Sequence, residues 1–291
     1  MNRLIGLLSL LLSRLPLPVL HGMGHCLGSI AWFIPNRLKR IALRHLELCL
    51  PELPEADRRR IARRSLLHFG KALMEAPAIW FGDRARLQGW IDDQQARHKL
   101  QQAIGDGPAI VMCPHIGSWE LAGMFCAAMG PITLLYKPQR DPLDQLVQKG
   151  RSRLGATLVP TNGGGVRAML RALRDGHMVG ILPDQDPPRG AGVFAPLFGI
   201  PAHTSELVSK LAARTGVPVC FCYAERLPRG AGFRFHVVKL PTEAVSDPVA
   251  GVEALNRGIE SVLTHLPEQY WWSYKRFRRL PAGIRSPYAS L

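Results

Sequence analysis

From Gly107 onward, short apolar runs alternate with segments of helical pattern, and this alternation constrains the fold more than any other feature. The runs that we interpret as strands are Ala109–Cys113, Ile132–Tyr136, Thr157–Val159, His177–Leu182, Val217–Tyr223 and Phe233–Leu240. The intervening helices are predicted at Trp119–Met129, Pro142–Leu154, Val166–Arg174, Thr204–Thr215 and Val249–His265. Strands that are separated by helices form a sheet with helices on its faces. We therefore predict an α/β fold with a central mixed sheet flanked by helices.

The stretch from Gly107 to Gly123 places a histidine between the first strand and the first helix of this region. His115 follows the apolar run, and Glu120 falls in the first turn of the helix that Gly117 and Ser118 open. Residues five apart on one continuous helix point roughly 140° away from each other, but a loop histidine and a first-turn glutamate can meet. We therefore predict a contact in which the Glu120 carboxylate fixes the tautomer of His115. A histidine held in this way can take a proton from an alcohol.

The spacing of His115 and Glu120 is informative only through its position in the fold. Ten His and 22 acidic residues among 291 positions give nearly one such pair by chance. In this chain no other His is followed by a carboxylate five residues later, and sites in open α/β sheets gather at the carboxyl ends of strands. The structural alternative is a His in a turn and a Glu that the helix dipole stabilises.

The N-terminal segment Leu4–Ile34 is strongly apolar, although Arg14, Pro16 and Pro18 interrupt it. A spanning helix needs about 20 apolar residues, so we expect residues 1–35 to be an uncleaved membrane anchor. It would be one kinked span or a helix lying in the membrane interface. We find no small-residue cleavage site of a signal peptide, and a buried helical hairpin is the alternative. The basic residues that follow are Arg37, Lys39, Arg40 and Arg44. Their position predicts that the rest of the chain lies on the cytoplasmic side.

The net charge of +15 indicates an anionic partner, such as nucleic acid, an acidic membrane surface, an acidic protein or an acidic substrate. Aromatic residues make up 7% of the chain, which does not favour a single-stranded nucleic-acid platform of stacking rings. The six Cys form no CxxC pair, so the sequence predicts neither a zinc site nor a disulfide framework. We expect no metal and no cofactor.

Three further clusters could carry chemistry, and each also has a structural explanation. Gly163–Gly165 precedes a helix and could cradle a phosphate, but it lacks the P-loop and Rossmann patterns, so we interpret it mainly as a turn. The basic segment Lys149–Arg153 contains Arg151, which could clamp a phosphate or belong to a surface charge run. Asp184 and Asp186 end a strand, where they could hold a metal, act as a base or form an Asp-rich turn.

Four sequence blocks occur in an order that is similar to one family of enzymes. HIGSWE, at His115–Glu120, resembles an HX4(D/E) block, and GRSRLG, at Gly150–Gly155, resembles an arginine block. PDQDPPRGAGVFAPLFG, at Pro183–Gly199, resembles a block that ends in V-F-x-P-F/L-F-G. PEQYWWSYKRFRRLP, at Pro267–Pro281, is similar to a C-terminal signature. Together they resemble the late acyltransferases of lipid A biosynthesis, the lauroyl and myristoyl transferase family, over nearly the whole chain.

The resemblance implies a glycerolipid-acyltransferase-like fold and transfer of a fatty acyl chain from acyl carrier protein to a hydroxyl of a lipid A precursor. His115 would be the general base and Glu120 its orienting partner. Arg151 would bind an acceptor phosphate or position the thioester, while Asp184 and Asp186 would shape the site. The enzyme would work in lipopolysaccharide biosynthesis at the inner membrane, with its catalytic domain on the cytoplasmic side.

The expected partners are therefore acyl carrier protein, a phosphorylated glycolipid and the membrane, and not nucleic acid. Attack on a thioester also needs an oxyanion stabiliser, for which backbone N–H groups near Gly117 are the candidates. We divide the chain into an anchor, 1–35, and an acyltransferase domain, 36–291, with a helical lead-in, 36–106, and an α/β core, 107–291. Two other functions remain open: an acyltransferase acting on a glycerophospholipid or other glycolipid, and a non-enzymatic basic membrane-surface or nucleic-acid-binding protein.

Overall fold

The computed structural model describes residues 2–138, 143–247 and 249–289. The helices in these ranges are α1 (Asn2–Arg14), α2 (Leu17–Phe33), α3 (Arg37–Cys49), α4 (Glu55–Phe81), α5 (Arg84–Ile91), α6 (Gln94–Ile104), α7 (Trp119–Met129), α8 (Leu143–Arg151), α9 (Gly163–Arg174), α10 (Leu207–Thr215), α11 (Thr242–Ser246) and α12 (Gly251–His265). The strands are β1 (Ile110–Met112), β2 (Ile132–Tyr136), β3 (Thr157–Pro160), β4 (Met178–Ile181), β5 (Gly192–Leu197), β6 (Ile200–Ser205), β7 (Val219–Arg226) and β8 (Phe233–Leu240).

Six of the strands form one mixed sheet in the order β3-β2-β4-β1-β7-β8. The first five of these pair in parallel, and the edge strand β8 runs antiparallel to β7. Strands β5 and β6 form a separate antiparallel hairpin. Helices lie against both faces of the six-stranded sheet, so the prediction of a mixed α/β sheet flanked by helices is confirmed.

The central strands are buried on both faces, which is why they are continuous apolar runs in the sequence. In β1, Ile110 and Met112 contribute to one core, while Val111 between them contributes to the other. Strand β7 alternates in the same way, with Phe221 in the first core and Cys220 in the second. The side chains follow the two-residue period of a strand, so the sheet divides the molecule into two apolar layers.

The helix predicted from Thr204 begins later, because Thr204 belongs to β6. It pairs with Val193 across the hairpin, and both residues are β-branched, which suits a strand. Helix α10 starts at Leu207. The hairpin itself is absent from our prediction, since its prolines, Pro196 and Pro201, are residues that usually argue against a strand.

Three other predicted helices have different ends. The helix predicted at Pro142–Leu154 has its first residue outside the described ranges, and α8 ends at Arg151. The helix predicted from Val249 begins at Gly251, because Asp247 accepts hydrogen bonds from the N–H groups of Val249 and Ala250 at 2.8 and 2.6 Å. These bonds form a turn before the helix. The helix predicted from Val166 begins at Gly163, so the interpretation of Gly163–Gly165 as a turn before it was wrong. The N-cap Asn162 accepts the N–H of Gly165 at 3.0 Å, which lets the three glycines form the first turn of α9.

The N-terminal helices pack tightly onto α4 through glycine. Gly24 and Gly28 of α2 face Gly70 of α4, and a Cβ at any of the three would lie within 2.1–2.5 Å of the opposite backbone. Within the described ranges, no single helix combines the length and hydropathy of a membrane span. Helices α2 and α3 pass that test only as a pair, with their axes bent by 81°. The membrane anchor stays a prediction.

Candidate active site

His115 and Asp184 leave neighbouring strands at the same edge of the sheet. Met112 of β1 lies opposite Ile181 of β4. His115 comes three residues after Met112, and Asp184 comes three residues after Ile181. Parallel strands end at the same edge, so this register places the two side chains together. The chain leaves β1 towards β2 and leaves β4 towards β7, in opposite directions across the sheet. Ligands of open α/β sheets bind at such switch points.

Asp184 holds His115 at two points. Its Oδ1 lies 2.9 Å from the ring Nδ1, and its Oδ2 accepts the backbone N–H of His115 at 2.9 Å. Burial alone would raise the pKa of Asp184, but the charge and hydrogen bonds of His115 hold that pKa below its usual value. The resulting carboxylate accepts the Nδ1–H, which leaves the ring lone pair on Nε2. This is the arrangement of a general base.

Glu120 contacts Arg151 and Trp80, so the predicted hydrogen bond between Glu120 and His115 was wrong. Arg151 donates from Nη2 to Oε1 at 2.5 Å and from Nε to Oε2 at 2.9 Å. Trp80 donates its indole N–H to Oε2 at 2.9 Å. A buried carboxylate needs a full counter-charge, and the guanidinium supplies it through two parallel bonds.

The ionised state of Glu120 follows from this pairing. Burial would raise the pKa of its carboxyl group, and the charge of Arg151 lowers it below the usual value. The charge of Glu120 also interacts with His115 through space. A catalytic role for Glu120 stays a prediction. It would act through Arg151, to which it is hydrogen-bonded, and not through the contact with His115 that the spacing suggested.

The basic segment Lys149–Arg153 ties the site to α4. Arg153 donates to the carbonyl groups of Ile79 and Gly82 at 2.9 Å, so it is not part of a free surface charge run. A guanidinium has five N–H donors, of which the pairing with Glu120 uses two in Arg151. Binding of a phosphate or thioester by Arg151 therefore stays a prediction.

Gly117 allows the His115 loop to approach β7. Its φ is +57°, and a Cβ there would lie 2.0 Å from the Ala224 carbonyl oxygen. The Gly117 N–H donates to the Gln269 carbonyl at 3.0 Å, and the Ser118 N–H donates to that of Ala224 at 2.7 Å. Both N–H groups are already bonded, so these two are not available to an oxyanion, and a stabiliser elsewhere near Gly117 stays a prediction. Gly117 therefore has a structural role: only glycine allows the loop to pack this closely against β7.

Asp186 joins the loop after β4 to the C-terminal segment. His203 Nδ1 and Arg279 Nη1 each lie 2.8 Å from its carboxylate, and Arg278 also donates to it. The backbone N–H of Asp186 donates to the Tyr274 hydroxyl at 3.0 Å. In the part of the chain that the structure describes, no group of three or more His, Cys, Asp or Glu side chains could hold a metal ion. Nothing here supports the alternative of a metal site at Asp184 and Asp186.

Three residues that contact His115 were not among our candidates. Trp271 donates its backbone N–H to the His115 carbonyl at 3.1 Å, and its ring centroid lies 5.4 Å from the imidazole. The Trp119 ring packs 5.3 Å from the same imidazole. Gln185 Nε2 lies 3.1 Å from His115 Nε2. All three lie within the quoted sequence blocks, but Trp271 is far from His115 in sequence and no local signal indicated that the two would meet.

An apolar cavity lies beside Glu120 and Arg151, which both line it. Its other lining residues are Cys113, Trp119, Gly123, Met124, Leu134, Leu135, Gly180, Ile181 and Leu182. It opens between α7, β2 and β4, next to the strand ends that carry His115 and Asp184. The cavity has a volume of only about 30 Å³ in this structure, so a ligand with a long apolar part would enter it only if lining side chains moved apart.

Comparisons with known proteins found a family model and several relatives that match nearly the whole chain. Residues 4–279 match the family model described as bacterial lipid A biosynthesis acyltransferase. The lipid A biosynthesis lauroyltransferase of Escherichia coli K12 is 30% identical over 290 residues, which cover 98% of this chain and 93% of the relative. The palmitoleoyltransferase of the same strain is 28% identical over 277 residues, covering 94% and 90%. Its myristoyltransferase is 24% identical over 272 residues, covering 90% and 82%.

Proposed function

Because the chain belongs to the bacterial lipid A biosynthesis acyltransferase family, we propose that it transfers a fatty acyl chain from acyl carrier protein to a hydroxyl of a lipid A precursor. The observation that carries the proposal is the His115–Asp184 pair at the switch point of the sheet. This pair is suited to activating a hydroxyl group. The apolar lining beside it is suited in chemistry to an acyl chain, which would have to widen the cavity on binding.

His115 is the general base of the proposed reaction. Its Nε2 takes the proton of the acceptor hydroxyl while the hydroxyl oxygen bonds to the thioester carbonyl carbon. The C–S bond then breaks, and the leaving thiolate takes the proton from His115. Asp184 positions the ring, keeps the hydrogen on Nδ1 and stabilises the imidazolium that forms.

The donor lies with its acyl chain in the apolar cavity and its carbonyl group towards the imidazole. Arg151 and Glu120 form the polar part of the cavity wall. In this position Arg151 can orient the thioester or the acceptor, and Glu120 holds Arg151 in place. The net charge of +15 favours an acidic carrier protein and a phosphorylated acceptor over neutral partners.

The proposed enzyme docks on the cytoplasmic face of the inner membrane through its first two helices. Five exposed apolar residues follow one stripe of α2 and the residue after it at helical spacing: Val19, Met23, Leu27, Ile30 and Ile34. On α1, Leu7 and Leu11 are each more than half exposed, and Phe33 at the end of α2 is 73% exposed. An exposed apolar surface of this kind is typical of membrane contact. Arg37 and Arg40 are exposed directly after it, where they can meet anionic lipid headgroups.

The proposal is tested by product analysis with the purified full chain. Acyl carrier protein loaded with lauroyl, myristoyl or palmitoleoyl groups is the donor, and the acceptors are a lipid A precursor and a lysophospholipid. We expect one acyl group to be added to the lipid A precursor, as seen by mass spectrometry. Acylation of the lysophospholipid alone would assign the chain to glycerolipid synthesis, and no transfer to either acceptor would overturn the proposed activity.

A further inference from the structure

The loop after β4 contacts both nitrogens of the His115 ring. Asp184 accepts the Nδ1–H, and the next residue, Gln185, places its amide Nε2 3.1 Å from the ring Nε2. Because the hydrogen is on Nδ1, Nε2 carries the lone pair and the amide N–H of Gln185 donates to it. Two consecutive residues of one loop therefore bracket the imidazole.

The atom that Gln185 covers is the atom that must accept a proton from the nucleophile. One ring lone pair accepts one hydrogen bond, so a hydroxyl cannot be deprotonated there until the Gln185 amide moves away. We propose that Gln185 is a specificity-determining cap on the base, which the lipid acceptor displaces and which water displaces poorly. This inference rests on the proposed acyl transfer.

The contacts of Gln185 are those of a side chain that can move. Its neighbours are held firmly: Asp184 by two bonds to His115, and Asp186 by His203 and two arginines. The described hydrogen bonds of the Gln185 side chain are limited to the one with His115, and the residue is only half-buried. A single neutral hydrogen bond contributes modestly, so a competing ligand can replace it.

The lipid acceptor and water differ in what they bring to this competition. A phosphorylated glycolipid makes many contacts away from the reacting hydroxyl, and this binding free energy can be used to displace the cap. Water has no such contacts. Both nucleophiles would react in the same way: the oxygen bonds to the thioester carbon, the proton goes to Nε2, the C–S bond breaks and the thiolate takes the proton. The products are an ester with the lipid and a free fatty acid with water.

The test is the ratio of hydrolysis to transfer in the full-length Gln185→Met variant. Methionine keeps the length of the side chain but has no N–H to donate. Purified protein is given acyl carrier protein thioester with and without the lipid A precursor, and free fatty acid and acylated lipid are both quantified. Removing one neutral hydrogen bond should raise the ratio of hydrolysis to transfer by roughly three- to tenfold.

Gln102→Met is the matched control. Gln102 makes the same kind of contact, with its Nε2 2.8 Å from the Nε2 of His98, but it does so on the exposed surface of α6. This variant should keep the wild-type ratio. If Gln185→Met has a lowered melting temperature, Gln185→Asn is measured in the same assay, because its amide is too short to reach His115.

Two results would overturn the cap. One is a ratio within twofold of wild type in folded Gln185→Met and Gln185→Asn. The other is a lower ratio than in the wild type, because removing a cap on the base cannot favour transfer over hydrolysis. A wild-type protein that transfers no acyl group would instead contradict the proposed function itself, so the two failures are distinguishable.

Discussion

His45 is a buried histidine that joins α3 to the C-terminal segment in its neutral form. Its Nδ1 donates to the Trp272 carbonyl at 2.6 Å, and its Nε2 accepts from the Tyr288 hydroxyl. The Tyr288 oxygen in turn accepts the N–H of Phe277 at 3.0 Å. Burial lowers the pKa of His45 to about 4, against the opposing effect of the Trp272 carbonyl.

This lowered pKa predicts a loss of stability in mild acid. An unfolded His binds a proton below about pH 6.5, while folded His45 does not until about pH 4. The free energy of unfolding therefore does not depend on His45 protonation above pH 6.5. As the pH drops from 6.5 towards 4, it falls by roughly 3 kcal/mol in total. Urea unfolding of wild type and His45→Gln at pH 7 and pH 4.5 measures it. A wild type that loses no more stability than His45→Gln between these pH values would contradict the prediction.

The ion pair between Arg151 and Glu120 predicts that substitutions of the two residues have non-additive effects on the free energy of unfolding. Removing one partner of a buried ion pair leaves the other charge uncompensated, which costs about 3 kcal/mol. Arg151→Met should therefore lower the free energy of unfolding by about that amount, and adding Glu120→Gln should restore most of it. Denaturant unfolding of the two single variants and the double variant gives the coupling energy. Lys149→Met, which removes an exposed charge beside the pair, should be near neutral. Additive single effects would rule out the coupling.

The position of His115 could be predicted from the sequence, but its partner could not. The apolar run and the glycine after it are local signals, and they place the imidazole in a loop at the end of a strand. Asp184 is 69 residues away and becomes a neighbour only because β4 lies beside β1. Glu120 was chosen because it is close in sequence. The strand order decided the partner, and strand order has no local signal.

At the scale of elements, the contact between α2 and α4 gives a sharp prediction. A Cβ at Gly28 would lie 2.5 Å from the Leu66 carbonyl oxygen and the Leu67 Cα, which are backbone atoms that cannot rotate away. Gly28→Ala should therefore force the helices apart and lower the free energy of unfolding by about 1–3 kcal/mol.

Gly22→Ala is the control on the same helix. A Cβ at Gly22 would have no atom within 4 Å, so the variant should gain up to about 1 kcal/mol from helix propensity. Thermal or urea unfolding of the two variants compares them directly. Equal stabilities of Gly28→Ala and Gly22→Ala would show that the two helices are not packed as closely as the structure describes.

Elements with a strong local pattern were predicted well, and elements defined by pairing were not. Helix α7 and strands β2 and β8 have the predicted bounds, since their apolar periodicity is strong and glycine or proline limits them. The β5–β6 hairpin depends on pairing between residues on either side of a turn at Phe198 and Gly199. Prolines in both strands hide it from a reading of the sequence alone.

At the scale of the whole molecule, the exposed apolar residues of α1 and α2 predict how the protein meets a membrane. The double variant Ile30→Asp, Phe33→Asp introduces two charges into this surface, so it should bind anionic lipid vesicles much less tightly than wild type. Co-sedimentation at low and high salt measures it, because contacts of exposed charges weaken with salt whereas apolar insertion does not.

Val249→Asp is the control for the membrane experiment. Val249 is 92% exposed and lies in the turn before α12, outside the stripe. This variant should bind vesicles like the wild type. A stripe variant that still sediments fully with vesicles at high salt would contradict membrane docking through these helices.

The account as a whole depends on His115 as a base that Asp184 positions, and single-turnover acyl transfer in a double-mutant cycle tests this most directly. His115→Ala should lose about 10²–10⁴-fold in rate, and Asp184→Asn should also lose a large factor because the ring is no longer held in the right tautomer. The double variant should be no slower than His115→Ala alone, since the two residues act as one unit. His98→Ala, on the exposed face of α6, should transfer at the wild-type rate. A folded His115→Ala protein with near-normal transfer, or multiplicative losses in the double variant, would contradict the account.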